Sequence, residues 1–187
     1  MNILLLGSGG RESAFAWKIS QSAKCQQLFI APGNAGTGQY GTNLDVKVND
    51  FEGVKHAVLA NNINLVLVGP EEPLVKGIHD CFLADEQLRG VPVIGPQREG
   101  AQLEGSKDFS KQFIVRNNIP AAASRTFTSQ TLQDSFDYLP TIGLPIVLKA
   151  DGLAAGKGVL ICLTVQEAQQ ELKEMLTEAK FGEASSK

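Results

Sequence analysis

Two lysines flank a glycine-rich run, KADGLAAGKGV, at positions 149–159. Lys149 closes an apolar run, where a cation needs a nearby anion, and its side chain can reach the α- and β-phosphates of a nucleotide. Lys157 lies in a flexible stretch that could fold over those phosphates as a lid. An apolar strand rather than a helix follows Gly158, so the run differs from the phosphate loop GxxxxGK[ST]. We therefore predict a mobile, phosphate-gripping hairpin loop; a glycine-rich hairpin with incidental lysines is the alternative.

A second glycine-rich run, GSGGRE, occupies positions 7–12 between an apolar run and a helical pattern. Gly7 and Gly9 fit the first two glycines of the dinucleotide pattern GxGxxG, but Glu12 stands at the third. The next apolar run also ends in Ala-Pro, where a dinucleotide site would place an acidic residue for the ribose. We favour another anionic ligand, because backbone N–H groups at a helix start and the Arg11 guanidinium suit a phosphate. A dinucleotide site and a purely structural turn are the alternatives.

Two further loops place polar groups at the ends of apolar runs. The run APGNAGT at 31–37 contains Asn34, whose amide can donate to and accept from a sugar hydroxyl. The run VGPEEPLV at 68–75 places Glu71 where a carboxylate can pair with an amine or with hydroxyls. Acids that merely decorate a helix start are the alternative there. The run EGSK at 104–107 is a weaker candidate, because a single lysine is most often a solvated surface residue.

The order of apolar runs and helical patterns indicates how these loops are positioned. Four apolar runs that stop at turn residues predict strands near 3–6, 28–30, 64–68 and 91–94. Helical patterns between them predict helices near 51–61 and 73–88. Such alternation, with fully apolar strands, predicts a parallel sheet covered on both faces, with ligands at the carboxyl edge of its strands.

A second unit of α+β character follows a helical, charged stretch at 97–118. Its predicted elements are a strand near 125–127, a helix at 131–138, strands at 145–149 and 158–162, and a helix at 165–179. Thr164 and Glu167 predict a capped start for the last helix. Two strands and one helix bury too little surface to stand alone comfortably, so we expect the chain to be a truncated part of a longer protein.

The predicted division is an N-terminal α/β domain at 1–103, a helical linker at 104–120 and a partial subdomain at 121–187. The net charge of -3 comes from scattered acids and bases, which gives no basic stripe for nucleic acid and no basic amphipathic helix for a membrane. The apolar run at 3–6 is too short for a signal peptide. Three widely spaced cysteines fit neither a zinc site nor a disulfide scaffold and favour the reducing cytoplasm. We expect a monomer or a weak homo-oligomer.

Together the five runs, in this order and spacing, resemble the front portion of the phosphoribosylamine–glycine ligase family, also called glycinamide ribonucleotide synthetases. The resemblance covers essentially the whole chain. It implies a Rossmann-like, pre-ATP-grasp domain followed by part of an ATP-grasp subdomain. It also implies an ATP-dependent ligase of purine biosynthesis that joins glycine to 5-phosphoribosylamine through a glycyl phosphate, with Mg²⁺ or Mn²⁺ neutralising the phosphates.

The resemblance assigns roles residue by residue. The implied ATP-binding residues are Lys107, Lys149, Asp151, Gly152, Gly156, Lys157 and Gly158. The implied residues for the phosphoribosyl substrate are Gly9, Gly10, Arg11, Glu12, Pro32, Gly33, Asn34, Gly36, Thr37, Pro70 and Glu71. Many relatives carry His where this sequence has Ser13, and a Thr is common where residues 121–124 are Ala-Ala-Ala-Ser.

The resemblance places the metal ligands, the adenine-contacting strand and the glycine site beyond residue 187, and no catalytic residue within the chain. We therefore expect these 187 residues alone to be inactive and to bind ATP weakly. Two alternatives remain. One is another ATP-grasp enzyme, such as a biotin-dependent carboxylase or an aminoimidazole ribonucleotide carboxylase, and the other is a non-catalytic module that binds a phosphorylated sugar.

Overall fold

The computed structural model describes residues 1–153 and 157–178. The chain forms two compact units, Met1–Ala101 and Gln102–Lys187. In the described ranges no helix is long and apolar enough to span a membrane.

The first unit contains a five-stranded parallel sheet, which confirms the predicted α/β class. The strand order is β3-β2-β1-β4-β5. The strands are β1 (Asn2–Gly7), β2 (Gln27–Pro32), β3 (Thr42–Asn43), β4 (Leu65–Val68) and β5 (Val93–Ile94). The helices are α1 (Gly10–Ser20), α2 (Phe51–Ala60), α3 (Glu72–Val75) and α4 (Ile78–Ala84).

Alternate residues of the strands fill two apolar cores, one on each face of this sheet. On one face, Leu4 and Leu6 of β1 belong to a cluster with Phe82 of α4. On the other face, Ile3 and Leu5 pack in a cluster with Ala16, Leu28 and Ile30. Both faces of the sheet are therefore covered, as the uninterrupted apolar runs predict.

The prediction of one continuous helix at 73–88 is wrong, because this stretch forms two helices, α3 and α4. Gly77 separates them with φ of 91°, a left-handed conformation that only glycine adopts readily. The Arg98 guanidinium occupies the space above this glycine, so that an added Cβ would lie 2.5 Å from its Nη2. The break is therefore fixed by both backbone conformation and packing.

The helical stretch predicted at 97–118 is likewise two helices, α5 (Arg98–Gly105) and α6 (Lys107–Arg116). Ser106 lies between them in an extended conformation and accepts a hydrogen bond from the backbone N–H of Phe109, which makes it the N-cap of α6. The helical pattern continues through this point, so periodicity alone cannot reveal the break.

The second unit contains an antiparallel hairpin of β6 (Ile146–Lys149) and β7 (Val159–Cys162), with α7 (Leu132–Tyr138) and α8 (Val165–Thr177). The strand predicted near 125–127 is wrong: residues 119–128 form neither helix nor strand. Thr164 caps α8 by accepting from the Glu167 N–H at 3.1 Å, as predicted. The Glu167 carboxylate also accepts from the Leu163 N–H at 2.8 Å.

Candidate functional site

Three of the predicted ligand loops meet at the carboxyl edge of the five-stranded sheet. Gly7 at the end of β1 is paired with Pro32 at the end of β2. The Gly33 N–H donates to the Gly7 carbonyl at 3.1 Å, and the Gly69 N–H donates to the Leu6 carbonyl at 2.9 Å. The runs GSGGRE, APGNAGT and VGPEEPLV therefore lie side by side, on strands that are neighbours in the sheet.

Glu12 fills the space at the centre of these loops. Its side chain is buried, with 4% of the residue exposed, and its Oε2 accepts from the Gly9 N–H at 2.6 Å. A Cβ on Gly69 would lie 2.3 Å from Glu12 Oε1, and one on Gly7 would lie 2.5 Å from Glu12 Cγ. The glycines therefore make room for this carboxylate. Glu12 thus fills the space that the third glycine of the dinucleotide pattern leaves free for close packing of helix and strand.

Arg11 is held at the same edge by two carboxylates. Its Nε donates to Glu12 Oε1 at 3.0 Å, and its Nη2 lies 3.6 Å from Glu71 Oε2. The hydrogen bond to Glu12 raises the pKa of Arg11 above its usual value, so the guanidinium stays cationic at any physiological pH. About half of its side chain (55%) remains exposed. The arrangement presents a fixed cation to solvent beside Gly10, where an added Cβ would meet no atom within 4 Å.

The polar side-chain atoms of Asn34 form hydrogen bonds within the protein. Its Nδ2 donates to the Ser8 carbonyl at 2.8 Å and to Ser13 Oγ at 3.0 Å, and its Oδ1 accepts from the Gly36 and Thr37 N–H groups at 2.7 and 3.0 Å. An amide has two donor hydrogens and two acceptor lone pairs, so this side chain is saturated. The side chain therefore stabilises the loops and has no polar atom left for a sugar hydroxyl.

Thr37 and Asn43 complete this hydrogen-bond network. No motif in the sequence selects Asn43. The buried Thr37 hydroxyl accepts from the Asn34 N–H at 2.7 Å and lies 2.8 Å from Asn43 Oδ1. Asn43 Nδ2 donates to the Asn34 carbonyl at 2.7 Å. Asn43 lies on the two-residue strand β3, which has no apolar run to indicate it. The signal that could have found it is a second asparagine close to the loop.

The second unit presents Lys149 on the outer face of the hairpin. Ile146 and Leu148 of β6 are buried in a cluster with α8, so the alternating Val147 and Lys149 point to the opposite face. Their partners across the hairpin, Ile161 and Val159, are also exposed, Ile161 at 63%. The lysine therefore stands at the end of an exposed apolar surface.

A cavity of about 520 Å³ in this unit brings three of the implied ATP-binding residues together, namely Lys107, Lys149 and Asp151. Leu148 and Met175 are among the apolar residues that line it. Gly158 accepts from the Ala150 N–H at 2.8 Å and closes the hairpin end, while Lys157 is exposed. Gly156 lies outside the described residues, and so does the centre of the predicted mobile loop.

The Asp151 carboxylate forms hydrogen bonds within the protein. Its Oδ1 accepts from the backbone N–H groups of Lys107 at 2.5 Å and Asp108 at 3.1 Å, and its Oδ2 lies 3.0 Å from Ser106 Oγ. Lys107 Nζ donates in turn to the Gly152 carbonyl at 3.0 Å. The aspartate predicted to contact ATP thus ties the start of α6 to the loop that follows β6.

Arg125 also lines the cavity, although no motif or spacing in the sequence selects it. Its Cζ lies 5.2 Å from the ring centroids of both Phe127 and Tyr138, an arrangement typical of cation–π contacts. Phe127 is two residues away and could have indicated a contact, but Tyr138 comes from α7. Arg125 adds a fourth basic side chain to the cavity lining, beside Lys107, Lys111 and Lys149.

Metal ligands are a separate matter. Within residues 1–153 and 157–178, no group of three or more His, Cys, Asp or Glu side chains is arranged to hold a metal ion. The described acids near the cavity, Asp108 and Asp151, both take part in hydrogen bonds at or near the start of α6. The described residues therefore do not fit a divalent cation.

Comparison with protein families matches both parts of the chain. Residues 1–104 match the family model described as the N domain of phosphoribosylglycinamide synthetase, and residues 105–187 match the ATP-grasp (A) domain of the same synthetase. The two matches meet between residues 104 and 105.

Individual relatives agree with these family matches. A phosphoribosylamine–glycine ligase of Pasteurella multocida is 47% identical over 189 aligned residues, which cover 100% of this chain and 43% of the relative. A solved phosphoribosylamine–glycine ligase of Thermotoga maritima superposes with a TM-score of 0.74 at 28% identity, covering 98% of this chain and 41% of that one. The chain thus spans less than half the length of either relative.

A biotin carboxylase domain of Hydrogenobacter thermophilus 2-oxoglutarate carboxylase superposes with a TM-score of 0.71 at 16% identity. The match covers 98% of this chain and 42% of that one. At this identity the likeness extends to the fold alone.

Proposed function

Because this chain belongs to the phosphoribosylglycinamide synthetase family, we propose that it forms part of an ATP-dependent ligase that joins glycine to 5-phosphoribosylamine. The product is glycinamide ribonucleotide, an intermediate of purine biosynthesis. The observation that carries the proposal is the cavity of the second unit, which Lys107 and Lys149 line together with apolar side chains such as Leu148 and Met175. The relatives named as phosphoribosylamine–glycine ligases support the choice of substrates.

The reaction has two steps. A glycine carboxylate oxygen attacks the γ-phosphorus of ATP and ADP leaves, which gives glycyl phosphate. The amine of 5-phosphoribosylamine then attacks the carbonyl carbon, and phosphate leaves as the C–N bond forms. Mg²⁺ or Mn²⁺ would neutralise the phosphates, with ligands outside the described residues.

Lys107 and Lys149 would neutralise the ATP phosphates, because an ammonium group is a compact cation that tolerates varied phosphate geometry. The exposed side chains of Val147, Val159 and Ile161 offer apolar area next to Lys149. Lys157, Gly156 and Gly158 would belong to the loop that covers the phosphates. Gly152 supplies a carbonyl that holds Lys107, and Asp151 anchors the same region.

The first unit would bind the phosphoribosyl group at the carboxyl edge of its sheet. The N–H groups at the start of α1 and the Arg11 guanidinium suit the 5′-phosphate. Glu12 and Glu71 would act on the substrate through Arg11, which both of them hold. Asn34 and Thr37 would keep the loop Pro32, Gly33 and Gly36 in shape, and Pro70 would shape the loop after β4.

The first test measures ADP formation by the protein expressed from the complete reading frame that contains this sequence. We expect ADP formation to require both glycine and 5-phosphoribosylamine. Lys149→Met should raise the KM for ATP by on the order of tenfold, because one charge-assisted contact to a phosphate is lost. Lys173→Met, on the exposed side of α8, is the matched control. ADP formation with bicarbonate in place of glycine would instead indicate an ATP-grasp carboxylase.

A second test separates the two substrates. Arg11→Met should raise the KM for 5-phosphoribosylamine and leave the KM for ATP unchanged, because Arg11 lies on the first unit's sheet edge. Lys18→Met, an exposed cation on the same helix, should change neither constant. Equal effects of both variants would argue against a phosphate site at this edge.

The compartment and partners follow from the same proposal. ATP, glycine and 5-phosphoribosylamine are small molecules, and the chain's net charge of -3 offers nucleic acid no basic surface. Cys25, Cys81 and Cys162 form no disulfide, which is compatible with the reducing cytoplasm. We expect a monomer or a weak homo-oligomer, which sedimentation can measure.

A further inference from the structure

Asp151 makes an unusual number of contacts for a loop residue. Its carboxylate accepts from two consecutive backbone N–H groups, those of Lys107 and Asp108, and from the Ser106 hydroxyl. These donors form the first turn of α6, where unpaired N–H groups and the helix dipole favour an anion. The residues concerned are 43 to 45 positions apart in sequence, so the contact joins two distant segments of the second unit.

A second link runs in the opposite direction. Lys107 Nζ donates to the carbonyl of Gly152, the residue that follows Asp151. Lys107 is therefore held at both ends, its backbone N–H by the Asp151 carboxylate and its ammonium by the next carbonyl. A lysine side chain has several rotatable bonds and loses considerable conformational freedom when it is fixed.

Lys149 is set by the same anchor. It lies two residues before Asp151 at the end of β6, and the Ala150 N–H donates to the Gly158 carbonyl at 2.8 Å between them. The chain leaves β6 in a direction fixed on one side by this hairpin bond and on the other by the carboxylate. Lys107, Lys149 and Asp151 all line one cavity.

We propose that Asp151 is a positioning residue that fixes Lys107 relative to Lys149, so that both ammonium groups meet one polyphosphate. The inference rests on the proposed function and goes beyond it, because the carboxylate acts through the lysines. An aspartate among phosphate-binding lysines would repel the ligand if it faced the phosphates. The carboxylate instead accepts from three donors at the start of α6, which removes that conflict.

The test uses the complete enzyme with two substitutions at this position. Asp151→Ala removes every one of these contacts and should raise the KM for ATP by on the order of tenfold, because a displaced Lys107 loses one charge-assisted contact to a phosphate. Asp151→Asn keeps an oxygen for the backbone N–H groups but loses the charge. Its KM for ATP should therefore lie between that of the wild-type enzyme and that of Asp151→Ala. The KM for glycine should stay unchanged in both variants, since only the lysine positions shift.

A matched control removes a different carboxylate from a helix start. Asp50 caps α2 in the first unit by accepting from the Gly53 N–H at 3.0 Å, with no lysine in the contact. Asp50→Asn should therefore leave the KM for ATP unchanged. Hydrogen exchange of the 106–110 segment adds a direct readout: Asp151→Ala should accelerate it, and Asp50→Asn should not.

The possible results distinguish a failure of the positioning role from a failure of the proposed function. A raised KM for ATP with graded rescue by asparagine supports the positioning role. A lower kcat with an unchanged KM for ATP would overturn it, because that pattern indicates only a smaller folded fraction. A wild-type enzyme without any ATP-dependent activity would overturn the proposed function and the inference together.

Discussion

Glu12 occupies a place that dinucleotide-binding loops leave to a glycine, and it changes what the surrounding residues must be. Its carboxylate accepts from the Gly9 N–H and from the Arg11 side chain, and its carbons lie against Gly7 and Gly69. The side chain is thus a support of the loop, and the exposed Arg11 is the group that it presents. At this scale the proposed ligand site consists of one exposed cation, Arg11, and the buried residues that hold it.

Glu12→Gln should destabilise the first unit by about 1–3 kcal/mol, because an amide NH₂ must face either the Gly9 N–H or the Arg11 Nε–H. Urea unfolding, followed by circular dichroism, measures the change. Glu72→Gln is the matched control: Glu72 pairs with Lys76 at 2.6 Å, but half of its side chain is exposed. That substitution should cost under about 1 kcal/mol. Equal effects of the two substitutions would contradict a supporting role for Glu12.

Gly69→Ala should destabilise by about 1–3 kcal/mol, because the new methyl group would overlap the buried Glu12 carboxylate. Gly10→Ala should be neutral or stabilising by up to about 1 kcal/mol, since its Cβ meets open space at the start of α1. Thermal unfolding of the two variants decides the matter. If both lose the same stability, backbone conformation rather than the Glu12 contact is the cause.

At the scale of elements, the sequence predicted those whose apolar pattern is complete. The strands β1, β2, β4 and β5 carry apolar runs and were predicted. β3 was not, because Thr42 and Asn43 are polar and exposed and exist as a strand only through pairing with β2. Predicted boundaries failed at Gly77 and Ser106, where a left-handed φ and a cap interrupt continuous helical patterns.

The site shows the same division. The sequence placed Asp151 and Asn34 on loops that follow strands, because Gly-rich and Pro-containing runs mark the ends of strands. It could not predict which atoms they bind. The partners of Asp151 lie 43 to 45 residues away, and those of Asn34 come from two loops. Such contacts arise from the topology rather than from local spacing.

The N-cap of α8 provides a test of an element. Thr164→Ala should lower the stability of the second unit by about 1 kcal/mol, because the Glu167 N–H loses its acceptor. Thr164→Ser should recover most of that loss. Thr177→Ala, at the other end of α8, removes only a hydroxyl that donates to the Lys173 carbonyl and should change stability by less than about 0.5 kcal/mol. Denaturant unfolding compares the three.

At the scale of the whole molecule, each compact unit has its own apolar core. The first has clusters on both faces of its sheet, and the second has one between its hairpin and helices, with Ile146 and Leu172 among its members. Residues 119–126 are exposed and form neither helix nor strand. This stretch belongs to the second unit and contains Arg125.

Within residues 1–153, limited trypsin digestion should therefore cut first at Arg116 or Arg125, because cleavage needs an extended segment that the protease can bind. Lys24 and Lys47 lie in other loops, but backbone hydrogen bonds hold their neighbours, such as Cys25 and Asp50. They should be cut later. Mass spectrometry of the first fragments identifies the sites, and initial cleavage within residues 1–101 would contradict the expectation.

The alternation along β6 sets a limit on insertions and deletions. Lys149 is paired with Val159 across the hairpin, and Leu148 with Leu160. Removing one residue within β6 would turn Lys149 towards α8 and expose the apolar side chains in its place, because successive residues face opposite sides. Length changes during evolution should therefore accumulate in the surface loops of this unit, while β6 keeps a fixed number of residues.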